Sequence, residues 1–244
     1  MSWELFEKAA AGYTDWYTTR RGQRTECAER ALLAWLLTHF PSARSVLEVG
    51  CGTGHFTGWL ATRSLNVVGL DRSLAMLAEM RRRAVDIPAI LSDAHCLPFG
   101  EGAIDLVAYV TALEFLEDPT RSLAEAVRVA RQGVILVVLN RWSLGGLSRR
   151  WGRQSRQPLL GQARDWSLAA LRTLVRDSAA WRLRRIFWAS ALFPGCPSRA
   201  LAPIPVGEVI GLAAVLTSTA VGAHEEGQGK PMRALDPMSA SQGG

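Results

Sequence analysis

The sequence predicts an α/β fold, a mostly parallel sheet flanked by helices. Near-continuous apolar runs alternate with amphipathic segments, the pattern of strands covered on both faces. One of those runs, residues 45–49, empties into three alternating glycines, Gly50, Gly52 and Gly54, and then into helical spacing at Phe56, Trp59 and Leu60. The chain has 244 residues, 48% of them hydrophobic, enough for one substantial core.

Each element has its own signal. Helices over 3–12 and 24–39 precede the sheet; the second aligns Ala28, Ala31, Leu32, Trp35 and Leu36 on one face, and Pro41-Ser42 ends it. Strand 45–49 leads into a helix over 54–63. Strand 66–70 leads into a helix over 73–83, capped by Ser73. A short strand follows at 89–91. A strongly apolar one at 104–110 lies between Gly102 and Asp118-Pro119. The helix over 120–131 is stopped by Gly133, and a buried strand occupies 134–140. Residues 141–165, rich in Gly, Arg, Ser and Trp, read as an excursion, followed by a helix over 167–178 behind Ser167. Two last strands, 181–191 and 209–217, flank a proline-rich loop suited to a sheet edge. Residues 1–217 thus form one domain with a helical cap over 1–40, and 218–244 read as a disordered tail.

Composition excludes several classes. No run of eighteen apolar residues is present, so no transmembrane helix is expected. Without a basic, apolar leader the chain reads as cytoplasmic. Cys27, Cys51, Cys96 and Cys196 form no CxxC pair, which argues against zinc, any other metal site and a disulfide framework. The net charge of +6 is uneven: residues 141–188 hold eleven arginines against Asp165 and Asp177, and five of the nine tryptophans. Such a surface suits an anionic small molecule, a peripheral membrane contact or nucleic acid, or reflects a bias toward arginine, since Lys8 and Lys230 are the only lysines.

Strand, glycine turn, helix is the geometry that faces backbone N–H groups at a nucleotide-like ligand. The third glycine comes one residue too early for the dinucleotide fingerprint, and Glu48 precedes the turn. A carboxylate there suits a cation better than a pyrophosphate. Asp71 ends the second strand about twenty residues on, placed to accept both ribose hydroxyls or to cap the next helix. Asp93 in Asp93-Ala94-His95-Cys96-Leu97-Pro98-Phe99 is a candidate for adenine or an Asx turn. The fourth apolar strand exits through Thr111 and Glu114, at the edge where open α/β sheets bind ligands, or simply into a loop.

Glu48 with Gly50–Gly54, Asp71, Asp93-Ala94 and the segment 105–119, in this order, resemble the class I S-adenosylmethionine-dependent methyltransferases, methyltransferase-11 type, which include quinone-biosynthesis C-methyltransferases. The resemblance covers residues 10–140 and, more loosely, the chain to 217. It implies a Rossmann-like fold with a seven-stranded sheet, mostly parallel, whose last strand is antiparallel. It implies S-adenosyl-L-methionine as cofactor, held by Glu48, Gly50, Cys51, Gly52, Gly54, Asp71, Arg72, Asp93, Ala94 and Thr111, with Leu70 and Leu97 as apolar walls. The function it implies is methyl transfer to a small-molecule acceptor. The alternatives are a non-catalytic cofactor-binding sensor or partner subunit, and an RNA methyltransferase. Val110-Thr111-Ala112-Leu113 lacks the Asn/Asp-Pro-Pro-aromatic signature of base methylation, which counts against nucleic acid.

Methyl transfer demands alignment more than acid–base groups, so no obligatory triad is expected. His55, Glu114 and His95 are the candidates nearest the cofactor motifs, each with a reading as a mere neighbour, while His39 reads as structural and His224 lies in the tail. Tyr13 and Trp16 resemble the family's capping Tyr-Asp-x-Trp, or pack a terminal helix. With Arg141 and Trp142 after the fifth strand, they are the candidates to meet an anionic, aromatic or quinone-like acceptor.

Overall fold

The computed structural model describes residues 3–83, 85–150 and 160–217, so the tail and part of the excursion lie outside the described residues. Helix α1 (Trp3–Ala9), a 3-10 segment (Ala10–Thr18) and α2 (Arg20–Leu37) precede the sheet. The core then runs β1 (Ser45–Val49), α3 (His55–Ala61), β2 (Asn66–Asp71), α4 (Leu74–Arg82), β3 (Ala89–Leu91), β4 (Ile104–Val110), α5 (Pro119–Val129) and β5 (Ala130–Leu139). It closes with α6 (Leu144–Arg150), α7 (Leu168–Ala179), β6 (Leu183–Ala191), β7 (Leu201–Ala202) and β8 (Val209–Leu216). No helix among the described residues is long and apolar enough to cross a membrane.

The strands order as β3-β2-β1-β4-β5-β8-β6-β7. β1 to β5 are mutually parallel, and β8 runs antiparallel between β5 and β6. The expected seven strands are present, and two-residue β7 pairs with β6 as an additional edge. The order reverses between β1 and β4, and a crevice outside the carboxyl ends of an open sheet forms at such a point.

Alternation along each strand divides the core. Leu47, Val49, Val107, Leu136 and Val138 face α5 and α7 through Leu123, Ala126, Leu171 and Val175. Val46, Leu106, Ala108, Ile135 and Val137 face α2 and α3 through Leu32, Leu36, Phe56 and Leu60. Both faces are therefore dry, which is why the strands read as unbroken apolar runs.

Several boundaries differ from the expectation. α2 starts at Arg20 because the Thr19 hydroxyl accepts from Gly22 N at 3.0 Å, a cap ahead of the apolar stripe. The first helix gives way to the 3-10 segment at Ala10. β5 starts at Ala130, with Gly133 inside it, because the Arg131 guanidinium reaches Gly102 O at 3.1 Å and Asp105 Oδ1 at 3.0 Å. β6 starts after Arg182, whose buried guanidinium donates to the carbonyls of Val127, Ala130 and Thr217 and so ties α5 to the far end of the sheet.

Asp105 knits the amino end of the sheet. Its Oδ2 accepts from Arg44 N at 2.8 Å, Ser45 N at 3.1 Å and the Ser45 hydroxyl at 3.1 Å. Burial pushes its pKa up, but hydrogen bonds from Arg44, Gln132 and Ser45 outweigh it and hold the group below the ordinary aspartate value. A depressed pKa contributes stability that is present above the unfolded value and lost as pH falls through the folded one. Asp105→Asn should therefore cost about 1–3 kcal/mol in urea unfolding at neutral pH. The gap to wild type should narrow as pH drops below about 4.

Candidate functional site

Three consecutive parallel strands deliver a carboxylate to one edge of the sheet. Glu48 comes from β1, Asp71 ends β2 and Asp93 follows β3. All three line a cavity of about 990 Å³, open mouth included, whose other walls come from the glycine turn, the 3-10 segment and the exit of β4.

The turn is left-handed at each of its three glycines: φ is +73° at Gly50, +53° at Gly52 and +77° at Gly54. A Cβ on Gly50 would stand 2.6 Å from the Ala112 Cβ, and one on Gly54 2.7 Å from Met80 Cγ. Its amides are held by the neighbouring strand. Gly50 N and Cys51 N donate to Leu70 O at 2.7 and 3.0 Å, and Gly52 N donates to Asp71 Oδ2 at 2.8 Å. Asp71 Oδ1 accepts from Ser73 N at 2.8 Å, while the Ser73 hydroxyl caps α4. Asp71 is thus a loop-to-helix brace that also lines the cavity. Burial raises its pKa against the hydrogen bonds from Ser73 and Gly52.

Glu48 is buried, and its Oε2 accepts from the Thr57 hydroxyl at 2.5 Å. Loss of water pushes its pKa to about 8 despite that bond. Asp93 accepts from His95 N at 2.9 Å and His95 Nδ1 at 2.6 Å through one oxygen, the other lying 3.6 Å from Arg72. Burial raises its pKa, but His95 and Arg72 hold it below the ordinary value. His95 Nε2 accepts from Asp118 N at 3.2 Å, so the proton sits on Nδ1 and both ring nitrogens are committed to bracing. Arg72, Ala94 and Leu70 line the cavity, as does Thr111, a β-branched residue held at φ +48°.

The remaining candidates divide. Tyr13 and His55 line the cavity; Trp16 does not, its carbonyl serving the turn into α2. The His55 ring stacks on Tyr17 with centroids 3.9 Å apart, and its Nε2 lies 3.0 Å from Glu26, which also pairs with Arg30 at 2.6 Å. Burial lowers the His55 pKa although Glu26 opposes it. Glu114 lies behind the wall, its Oε1 accepting from Leu139 N at 2.6 Å. Leu97 is in the core, away from the lining. Arg141 and Trp142 do not line the cavity: Asn140 Oδ1 accepts from Trp142 N, Arg141 N donates to Trp166 O, and Trp142 stands 52% exposed.

Three contributors had no motif to mark them. Phe6 packs edge-on against Phe115 at 4.8 Å in the lining, and Glu7 anchors α1 by accepting from Leu74 N and Ala75 N at 2.8 and 3.1 Å. Glu29 is buried on α2; its signal was an acid within the apolar stripe of that helix.

The methyltransferase domain family matches residues 47–138. Over 93 residues the chain is 42% identical to a demethylmenaquinone methyltransferase of Renibacterium salmoninarum, covering 38% of this chain and 39% of that protein. Over 133 residues it is 35% identical to a malonyl-[acyl-carrier protein] O-methyltransferase of Pectobacterium atrosepticum, covering 54% and 51%. The chain thus spans about half or less of the length of these relatives. The crystal structure of a SAM-dependent methyltransferase from Thermotoga maritima superposes with a TM-score of 0.70 at 24% identity, over 88% of this chain and 99% of that one. The fold is that of the class I methyltransferases.

Gly50→Ala should lower stability by about 2 kcal/mol or more, since it adds left-handed strain to a contact with Ala112. Urea unfolding measures this, and Gly100→Ala, with open space around its Cβ, is the control.

Proposed function

We propose that the chain, whose residues 47–138 match a methyltransferase domain, transfers a methyl group from S-adenosylmethionine to a small, planar acceptor of aromatic or quinone-like chemistry. The observation that carries the reading is the glycine turn braced by Asp71 above a cavity that continues to Asp93. The residues fit the donor. The open space over Gly52, bounded by Tyr13 and Met76 at 3.9 and 4.0 Å from a built Cβ, takes the amino-acid portion beside Glu48. Asp71 accepts the ribose hydroxyls, and Asp93 with the Ala94 backbone faces the adenine edge, with Leu70 as its apolar wall. When bound, the donor supplies an activated methyl group on a cationic sulfur.

The chain's own work is alignment and exclusion of water. Phe6, Tyr13, Tyr17 and Phe115 cover the cavity from the side of the cap and the β4 exit. These rings favour a flat apolar acceptor. Asp71 and Glu117 in the same lining disfavour an anion, and Arg141 and Trp142, which motivated one, stand outside. The names of the two relatives, one a demethylmenaquinone and the other a malonyl-carrier enzyme, span both chemistries, and the aromatic lining supports the first.

Transfer of a tritiated methyl group across a panel of quinols, phenols and acyl carriers tests the proposal. Label should appear on a quinol or phenol, and Phe115→Ala should lower kcat/KM for it about tenfold or more by loosening alignment. Binding of the donor without transfer to any member would favour the non-catalytic alternative.

A further inference from the structure

Among the described residues seven large hydrophobic side chains stand more than half exposed, and four of them, Trp142, Leu144, Ile204 and Val206, lie in two short segments, 141–147 and 199–208. The segments are neighbours. Leu139 at the end of β5 pairs with Val209 at the start of β8, which also pairs with Ala191 at the end of β6. Buried Asn140 ties them together. Its side-chain amide donates to Pro205 O at 3.0 Å and Gly207 O at 2.7 Å, and its Oδ1 accepts from Trp142 N at 3.0 Å. Buried Ser190 donates to Ile204 O and accepts from Gly207 N at 3.3 Å. Gly207 is pressed against β6, where a Cβ would stand 2.3 Å from Ala191 O. Two buried polar side chains thus fix the backbone of these segments while their apolar side chains face solvent.

Helix α2 brings cations to the same place. Arg21 lies 3.8 Å from Glu208, and Arg199 donates to Cys27 Sγ at 3.4 Å, so the row Arg21, Arg24, Cys27 runs along the second segment. Arg24 is exposed between those two contacts. On the first segment the Arg141 guanidinium stands 5.7 Å from the Trp142 ring centroid. The two segments together hold one acid, Glu208. An indole and aliphatic tips flanked by guanidiniums suit a bilayer surface, where apolar groups enter the headgroup boundary and arginines meet lipid phosphates. A second copy of the chain across a two-fold axis would set these arginines against themselves.

We propose that segments 141–147 and 199–208, with the arginine row of α2, dock the protein on an anionic phospholipid bilayer. β5 is parallel to β4 and β1, so the first segment leaves the sheet at the same edge as the strand ends that line the cavity. Docking brings that edge to the lipid, and an apolar acceptor dissolved there reaches the site with little passage through water. This last consequence rests on the acceptor proposed above; the docking does not.

Flotation of the full chain with vesicles tests it. Vesicles of phosphatidylcholine with about one third phosphatidylglycerol should bind the protein about tenfold or more tighter than phosphatidylcholine alone. Raising NaCl from about 50 mM to about 500 mM should weaken that binding about tenfold. Trp142→Ser combined with Ile204→Ser should weaken it about tenfold or more, with an unchanged circular dichroism spectrum. The lipid and salt dependence of wild type stands even if the variant fails to fold. No flotation, equal binding to both vesicles, or binding untouched by the double substitution would overturn the proposal. So would a dimer that the same substitutions dissociate, formed by a chain that does not float. Methyl transfer to a soluble quinol by a chain that does not float would overturn the docking alone. Flotation without transfer to any acceptor would uphold the docking and overturn the acceptor reading.

Discussion

A left-handed turn of three glycines presents its amides to whatever lies beside it, and here the neighbouring strand answers. Leu70 O takes the N–H groups of Gly50 and Cys51, and the Asp71 carboxylate takes that of Gly52. The other Asp71 oxygen holds Ser73 N where α4 begins. This one side chain fixes the exit of β1 against the exit of β2 and the start of a helix. The floor of the cavity, the gap over Gly52 and the direction of α4 all follow from it. Since α4 carries the amides that Glu7 binds, the docking of the cap follows too.

The site is assembled from carboxylates in different electrical states. Asp93 and Asp105 have partners enough to stay ionised well into acid. Glu48 has been stripped of water, and burial pushes its pKa up to about 8 against the one bond from Thr57. His55 and His95, which stand near the motifs, are instead occupied by Glu26 and by Asp93 with Asp118. This agrees with chemistry that needs alignment more than a dedicated base.

Much of this was legible in the residues. The strands read clearly because both faces of the sheet are covered, so apolar runs such as 104–110 and 134–139 are nearly unbroken. Glu48, the glycines, Asp71 and Asp93 were legible because each sits at a strand end, and strand ends share one edge. What local pattern could not convey was anything set by docking across the chain. Gly133 looked like a helix stop but sits in β5 beside Phe40, where a Cβ would lie 2.3 Å from the ring. Arg182 looked like strand and is a buried tie. Arg141 and Trp142 follow directly on the fifth strand, but bonds to Asn140 and Trp166 hold their backbone and neither lines the cavity. Glu7, Phe6 and Glu29 enter only once the cap has packed.

The most direct measurement is a calorimetric titration of S-adenosylhomocysteine into wild type and Asp71→Ala, with circular dichroism to verify the fold. The account predicts micromolar-range binding to wild type and a loss of about a hundredfold or more in Asp71→Ala, the scale expected when a buried carboxylate contact and the loop brace are removed together. Equal affinity for the two proteins, or no binding to wild type, would contradict it.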